Sequence, residues 1–283
     1  MTDRITNAVT FPSRGNPERL IATVLALDAM ATHPDRIRYV VRADDDDPAT
    51  LDALGRLGQH ARVLVQLGPR PLSLGAESNA LCAAVEADYY HFWGDDLFPT
   101  TVGWDLAAPQ AGHLVSCWTI ITAQGAPPDY PVISKKWLNA CFGQPMSGLF
   151  PFWFDDRWLK DVTLLVLCKL PNLPIGVQAR KKHRSQRMRD LGFWFDYYLA
   201  LEPMRVQQAQ HVAKNLGLAP MPGFDEAVRQ LRALNEADAV GAAARHAGLV
   251  DLREPDEAYL EARHFAEMRL AQLRLGQQVR AAE

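Results

Sequence analysis

The sequence is poor in cysteine, with Cys82, Cys117, Cys141 and Cys168 the four in 283 residues. That density excludes a small disulfide scaffold. No two of them form a CxxC pair, so zinc-finger spacing is absent and a reducing compartment is expected. Long apolar runs are missing too. The longest, Val162 to Cys168, is broken by Lys169 and Pro171, far short of the roughly 20 residues that span a bilayer. The first residues, Met1 to Asn7, carry no signal-peptide core. Neither charge dominates: 30 Lys+Arg face 33 Asp+Glu, for a net charge of −3, which exerts no global pull toward nucleic acid. There is no GxGxxG after the first strand, which argues against a dinucleotide-binding domain, and no Walker A sequence. Internal repeats and low-complexity tracts are absent as well. Apolar residues, at 48%, suffice to bury a core and exclude a disordered chain. The expectation is a soluble, cytoplasmic globular protein of one large domain, or one domain with an appendage.

The first hundred residues alternate. Ala8–Phe11 reads as a strand, followed by a turn in which Asn16 suits a helix cap and Pro17 the first helical position. Leu20, Val24, Leu27 and Ala31 recur at helical spacing. Arg36–Val41 and Arg62–Leu67 read as strands, Pro48–Leu57 and Ala76–Ala87 as helices, and Tyr89–Trp93 as a fourth strand. Such alternation predicts βαβ units, a parallel sheet and right-handed crossovers. After Pro99 the regularity fades. His113–Thr122 reads as a strand, Ser134–Cys141 and Asp155–Cys168 as helices, and Leu173–Gln178 as a last strand. From Leu191 the pattern is helical: Phe193–Leu201, Met204–Leu216, Phe224–Leu234, Ala237–Ala247 and Pro255 to Arg280. The reading divides the chain into an α/β unit, 1–201, and a helical region, 202–283.

Ligands of open α/β sheets bind at the carboxyl ends of strands, and four strand ends here are polar. Ser13-Arg14-Gly15 gives a tight turn before a helix whose free N–H groups suit an anion; an ordinary βα loop would look the same. Asp44–Asp47 is either a solvated turn or a set containing an acceptor for nucleobase N–H or ribose hydroxyls. Asn79 lies too deep in its helix to cap it and faces ligand or solvent. Gly94-Asp95-Asp96 follows an apolar strand directly. Two acids there repel unless a divalent cation neutralises them, and oxygen ligands suit Mg²⁺ or Mn²⁺.

This order of segments, with Pro12–Arg19, the Asp cluster, Gly75-x-x-x-Asn79 and Gly94-Asp95-Asp96, resembles the GT-A-fold nucleotide-diphosphosugar transferases, particularly family-2-like glycosyltransferases, over roughly residues 5–200. The resemblance implies a Rossmann-like, mostly parallel sheet with flanking helices, and a nucleoside-diphosphate sugar as donor. It implies that Ser13, Arg14, Gly15, Asp44, Asp45 and Asn79 hold the nucleoside, Asp95 the ribose and Asp96 the metal, Mn²⁺ or Mg²⁺. Gly94 stands where the family's motif has its first Asp. Asp155-x-x-Trp158 matches the spacing of the family's general base, Asp155 or failing that Asp156 taking the proton of an acceptor hydroxyl; either acid would equally suit a helix N-terminus. In the run 180–189, with six Lys/Arg in ten residues, the resemblance makes His183 a metal ligand and sets Arg184 and Arg187 against the departing diphosphate. The reaction implied is inverting transfer to an unknown acceptor: a glycan, a small molecule or a modified nucleic acid. Two rivals are a nucleotidyltransferase of similar fold, for which Ser13-Arg14-Gly15 is a poor match, and a nucleic-acid-binding protein using the basic run. A viral DNA-base glycosyltransferase would combine the two ideas.

Overall fold

The computed structural model describes residues 5–57, 62–95, 97–120, 130–151, 154–179, 189–219, 221–246, 250 and 253–282. Its first half alternates as the periodicity predicts: β1 (Asn7–Ser13), α1 (Pro17–Met30), β2 (Ile37–Asp44), α2 (Pro48–Leu57), β3 (Val63–Gly68), α3 (Leu74–Ala83) and β4 (Tyr89–Phe92). These strands run parallel, with β1 between β2 and β4 and β3 outside β2. There follow β5 (Leu97–Pro99), α4 (Ala107–Ala111), β6 (Val115–Ile120), β7 (Tyr130–Ser134), α5 (Lys135–Ala140), α6 (Asp155–Leu167) and β8 (Asn172–Ala179). One eight-stranded sheet results, in the order β3-β2-β1-β4-β7-β6-β8-β5. It is mixed: β7 runs antiparallel to β4 and β6, and β5 antiparallel to β8, while β6 and β8 are parallel.

Residues alternate across the sheet as a two-residue period demands. Val9 and Phe11 of β1 join Leu20, Val24 and Leu27 of α1 in one core. Ala8 faces the other, with Tyr90, Trp137, Leu159 and Trp194. Helices therefore cover both faces.

The chain ends in α7 (Leu191–Ala200), α8 (Glu202–Asn215), α9 (Phe224–His246) and α10 (Glu257–Ala282). The two helices expected over 224–247 are one, α9. Asn235, at the expected break, is buried and bonded rather than exposed in a turn. Its amide donates to Asp161 Oδ2 at 2.9 Å and accepts from Arg157 Nε at 2.9 Å. Tyr198 Oη donates to the same Asp161 oxygen at 2.5 Å, and Arg205 Nε lies 3.5 Å away. This buried network ties α7, α8 and α9 to α6. Among the described residues, no helix is long and apolar enough to cross a membrane.

Candidate functional site

The carboxyl ends of β1, β2 and β4 converge. Gly15, just past β1, holds φ +71°, a left-handed conformation that suits glycine. Its N–H donates to Asp47 Oδ2 at 2.7 Å. Asp47 also accepts from Thr50 N at 3.2 Å and from Thr50 Oγ1 at 2.6 Å, so it caps α2 and ties the β1 turn to that helix. Burial alone would raise the Asp47 pKa, but these bonds outweigh it and lower it. Arg14 reaches the same turn. Its guanidinium donates to Asp44 Oδ2 at 2.7 Å and to Asp46 Oδ2 at 3.0 Å. Asp46 is held below the usual carboxylate range, first by its bond from Arg14. The four acids are thus unlike one another. Asp44 is buried, Asp47 is a cap, Asp46 is an exposed partner of Arg14, and Asp45 is exposed with its N–H bonded to Gly68 O at 2.9 Å.

Asp95 links β4 to β1. Ser13 Oγ donates to Asp95 Oδ2 at 3.0 Å, and the Asp95 carbonyl accepts from Thr23 Oγ1 at 3.0 Å. Asp96 lies outside the described residues, as does 180–188 with His183, Arg184 and Arg187. Both residues expected on the metal, Asp96 and His183, thus lie outside the described residues, whereas Asp95, expected on the ribose, is described. Among the described residues no three His, Cys, Asp or Glu side chains cluster to hold a metal ion.

Helix α3 borders this crevice and presents three residues to three neighbours. Glu77, overlooked in the sequence, turns a largely buried carboxyl toward Arg42 Nε, 3.8 Å away. Burial first, then the charge of Asp44, pushes its pKa up to about 8, against the pull of Arg42. The Asn79 amide faces protein, neither ligand nor open solvent. It donates to Met146 O and accepts from Met146 N, both at 3.0 Å. Gly75 lies against Asp155 so closely that a Cβ would stand 2.3–2.5 Å from that carboxylate.

Asp155 opens α6. The preceding Phe154 holds φ +81°, a strained conformation for a non-glycine residue, of the kind found where a side chain must be aimed. Asp155 Oδ1 accepts from Ser147 Oγ at 2.5 Å and from Gly148 N at 3.1 Å. Among the described residues, Oδ2 is buried without a hydrogen-bond partner. Burial raises the carboxyl pKa to about 7; Ser147 and Gly148 oppose that rise, and the charge of Asp156 adds to it. Asp156 has a different setting. It is partly exposed and lies 3.7 Å from Lys160 Nζ, one turn along the helix. A cavity of about 430 Å³ adjoins Ser147. A larger one, about 690 Å³, lies at the opposite, amino end of β4, beside Tyr89 and Lys135, away from all these residues.

The helical region also reaches the crevice. Arg70, just past β3, pairs with Asp256 at 2.8 Å. Asp256 in turn accepts from Tyr259 N at 2.9 Å at the start of α10.

No protein-family model matches the sequence, and no curated protein matches it. Solved structures do. The mannosyltransferase PcManGT from Pyrobaculum calidifontis, in complex with GDP-Man and Mn²⁺, is 11% identical with a TM-score of 0.53, over 99% of this chain and 85% of that one. S. aureus TarS 1-349 in complex with UDP-GlcNAc is 14% identical with a TM-score of 0.56, over 87% and 84%. TarS 1-349 with UDP gives 14% and 0.52, over 98% and 92%. At such identities the likeness is one of fold, and the fold is glycosyltransferase-like.

Proposed function

We propose that the protein is a GT-A-type enzyme that transfers a sugar from a nucleoside-diphosphate donor to an acceptor hydroxyl, with inversion at the anomeric carbon. The observation that carries this reading is the buried Asp155 carboxylate. It occupies the space left by Gly75, on the same helix whose Glu77 faces Arg42 and Asp44. A buried acid of raised pKa beside a polar crevice is the environment of a general base. Donor complexes of the same fold carry GDP-Man or UDP-GlcNAc.

In this reading Ser13, Arg14, Gly15, Asp44, Asp45 and Asp95 bind the nucleoside, with Asp44 oriented by Arg14. Asn79 acts at one remove, through its hold on Met146. Asp155, rather than the solvent-facing Asp156, accepts the acceptor's proton. The acceptor oxygen attacks the anomeric carbon, and the bond to the diphosphate breaks with its electron pair going to the leaving group. Asp96 and His183 are assigned to a Mn²⁺ or Mg²⁺ ion, which supplies positive charge against the diphosphate when bound. Arg184 and Arg187 are assigned to the same anion.

A thermal-shift panel of UDP, GDP, TDP and CDP sugars, with and without Mn²⁺, tests the reading. A metal-dependent rise in melting temperature with one class of donor is expected. No shift with any donor sinks it.

A further inference from the structure

The cavity of about 430 Å³ lies between the 140–149 segment, Trp158 of α6 and one face of α8. Ser147 belongs to two places at once. It lines this cavity, and its Oγ donates to Asp155 Oδ1 at 2.5 Å. The same oxygen accepts from Leu149 N at 3.2 Å. A hydroxyl has one donor and two acceptor positions, so one lone pair is left for a ligand.

The walls are of two kinds. Phe142, Met146 and Trp158 are apolar, while Gln207 and His211 stand one turn apart on α8. Phe142 is 78% exposed and holds φ +53°, a left-handed conformation that is unfavourable for a non-glycine residue. Burial in the core does not account for a large aromatic displayed there. An apolar wall with a few convergent amide and imidazole groups is the make-up of a small-molecule site. It suits a pyranose ring, which has an apolar C–H face and a rim of hydroxyls that both donate and accept.

We propose that this cavity binds a saccharide as the acceptor, and that Ser147 relays its proton to Asp155. The acceptor role and the relay step rest on the glycosyl-transfer reading; the saccharide site itself does not. The acceptor proton passes to Ser147 Oγ as the Ser147 proton passes to Asp155 Oδ1. Ser147 ends as a neutral hydroxyl, Asp155 ends protonated, and the acceptor oxygen gains the anomeric carbon as the diphosphate leaves.

The first test is an oligosaccharide array probed with the wild-type protein and with Gln207→Trp. That substitution puts an indole into the cavity from an exposed helix position. The wild type should retain a defined subset of glycans and the variant none of them, while calorimetry shows both binding the same sugar nucleotide. Retention of the same subset by the variant, or of no glycan by the wild type, overturns the site. If glycans bind and no sugar nucleotide does, the saccharide site stands and the transfer reading falls. With the glycan saturating, Ser147→Ala should lower the transfer rate by about 100-fold, the scale of a lost proton-transfer group. Ser147→Thr, which keeps the hydroxyl, should recover most of the rate. Unchanged transfer in Ser147→Ala overturns the relay.

Discussion

Burial holds the Asp155 carboxyl near a pKa of about 7 in the fold, against 3.8 when free. An acid raised in this way stabilises the fold in its protonated form. The contribution is complete below about pH 4 and is lost as pH rises through about 7. A general base must work in the ionised form. Transfer should therefore climb through pH 7 and level off above it, while the melting temperature falls over the same interval. Asp155→Asn separates the two effects. It should leave donor binding intact and lower transfer by roughly 10²–10⁴. It should also melt higher than the wild type at pH 8 and nearly with it at pH 4; equal melting curves at pH 8 would contradict the burial argument. Gly75→Ala attacks the same contact from α3. Its Cβ would meet the carboxylate at 2.3–2.5 Å, so the two must move apart. A loss of about 1–3 kcal/mol in urea unfolding is expected, together with a displaced apparent pKa in the rate profile.

Between helices, a buried polar network adds to the apolar packing of α6, α7, α8 and α9. Asn235 bonds both Asp161 and Arg157. Asn235→Ala should cost about 1–3 kcal/mol, because it removes one donor from the buried Asp161 carboxylate and one acceptor from the partly buried Arg157, which keeps its pairing with Asp238. Chemical denaturation checks this, and a change within error would make the network dispensable. How much of this was legible beforehand varies by element. The four parallel strands were readable, because apolar runs alternate there with helical spacing. The starts of α5 after Ser134 and of α6 at Asp155 were readable too, because Ser134 accepts from Trp137 N and two acids open α6 where the helix dipole favours them. Strand β7 was not, since Pro131 within it argues against a strand, nor was β5, with three residues. At the candidate site the acids were visible as residue types. Ser147 and Glu77 were not. Ser147 matters through Asp155, eight residues on, and Glu77 of α3 through Arg42 of β2. No sequence pattern encodes such contacts.

At the scale of the whole chain, residues from α8 onward are tied to the preceding elements at two places. Arg205 and Asn235 close over Asp161, and Asp256 reaches Arg70 at the crevice. A chain ending at residue 201 should therefore lack a cooperative melt by circular dichroism and bind no sugar nucleotide. A sharp transition in that fragment would make 1–201 an independent unit. The same buried carboxylate has a consequence for synthesis. Asn235 leaves the ribosome 74 residues after Asp161, a lag of about 4–15 s at roughly 5–20 residues per second. During that interval the nascent chain carries an amphipathic helix whose central acid, set among apolar residues, has no amide to meet it. Holdase chaperones should engage the chain in that window, and slowing translation between codons 161 and 235 should lower the soluble yield of an otherwise unchanged protein.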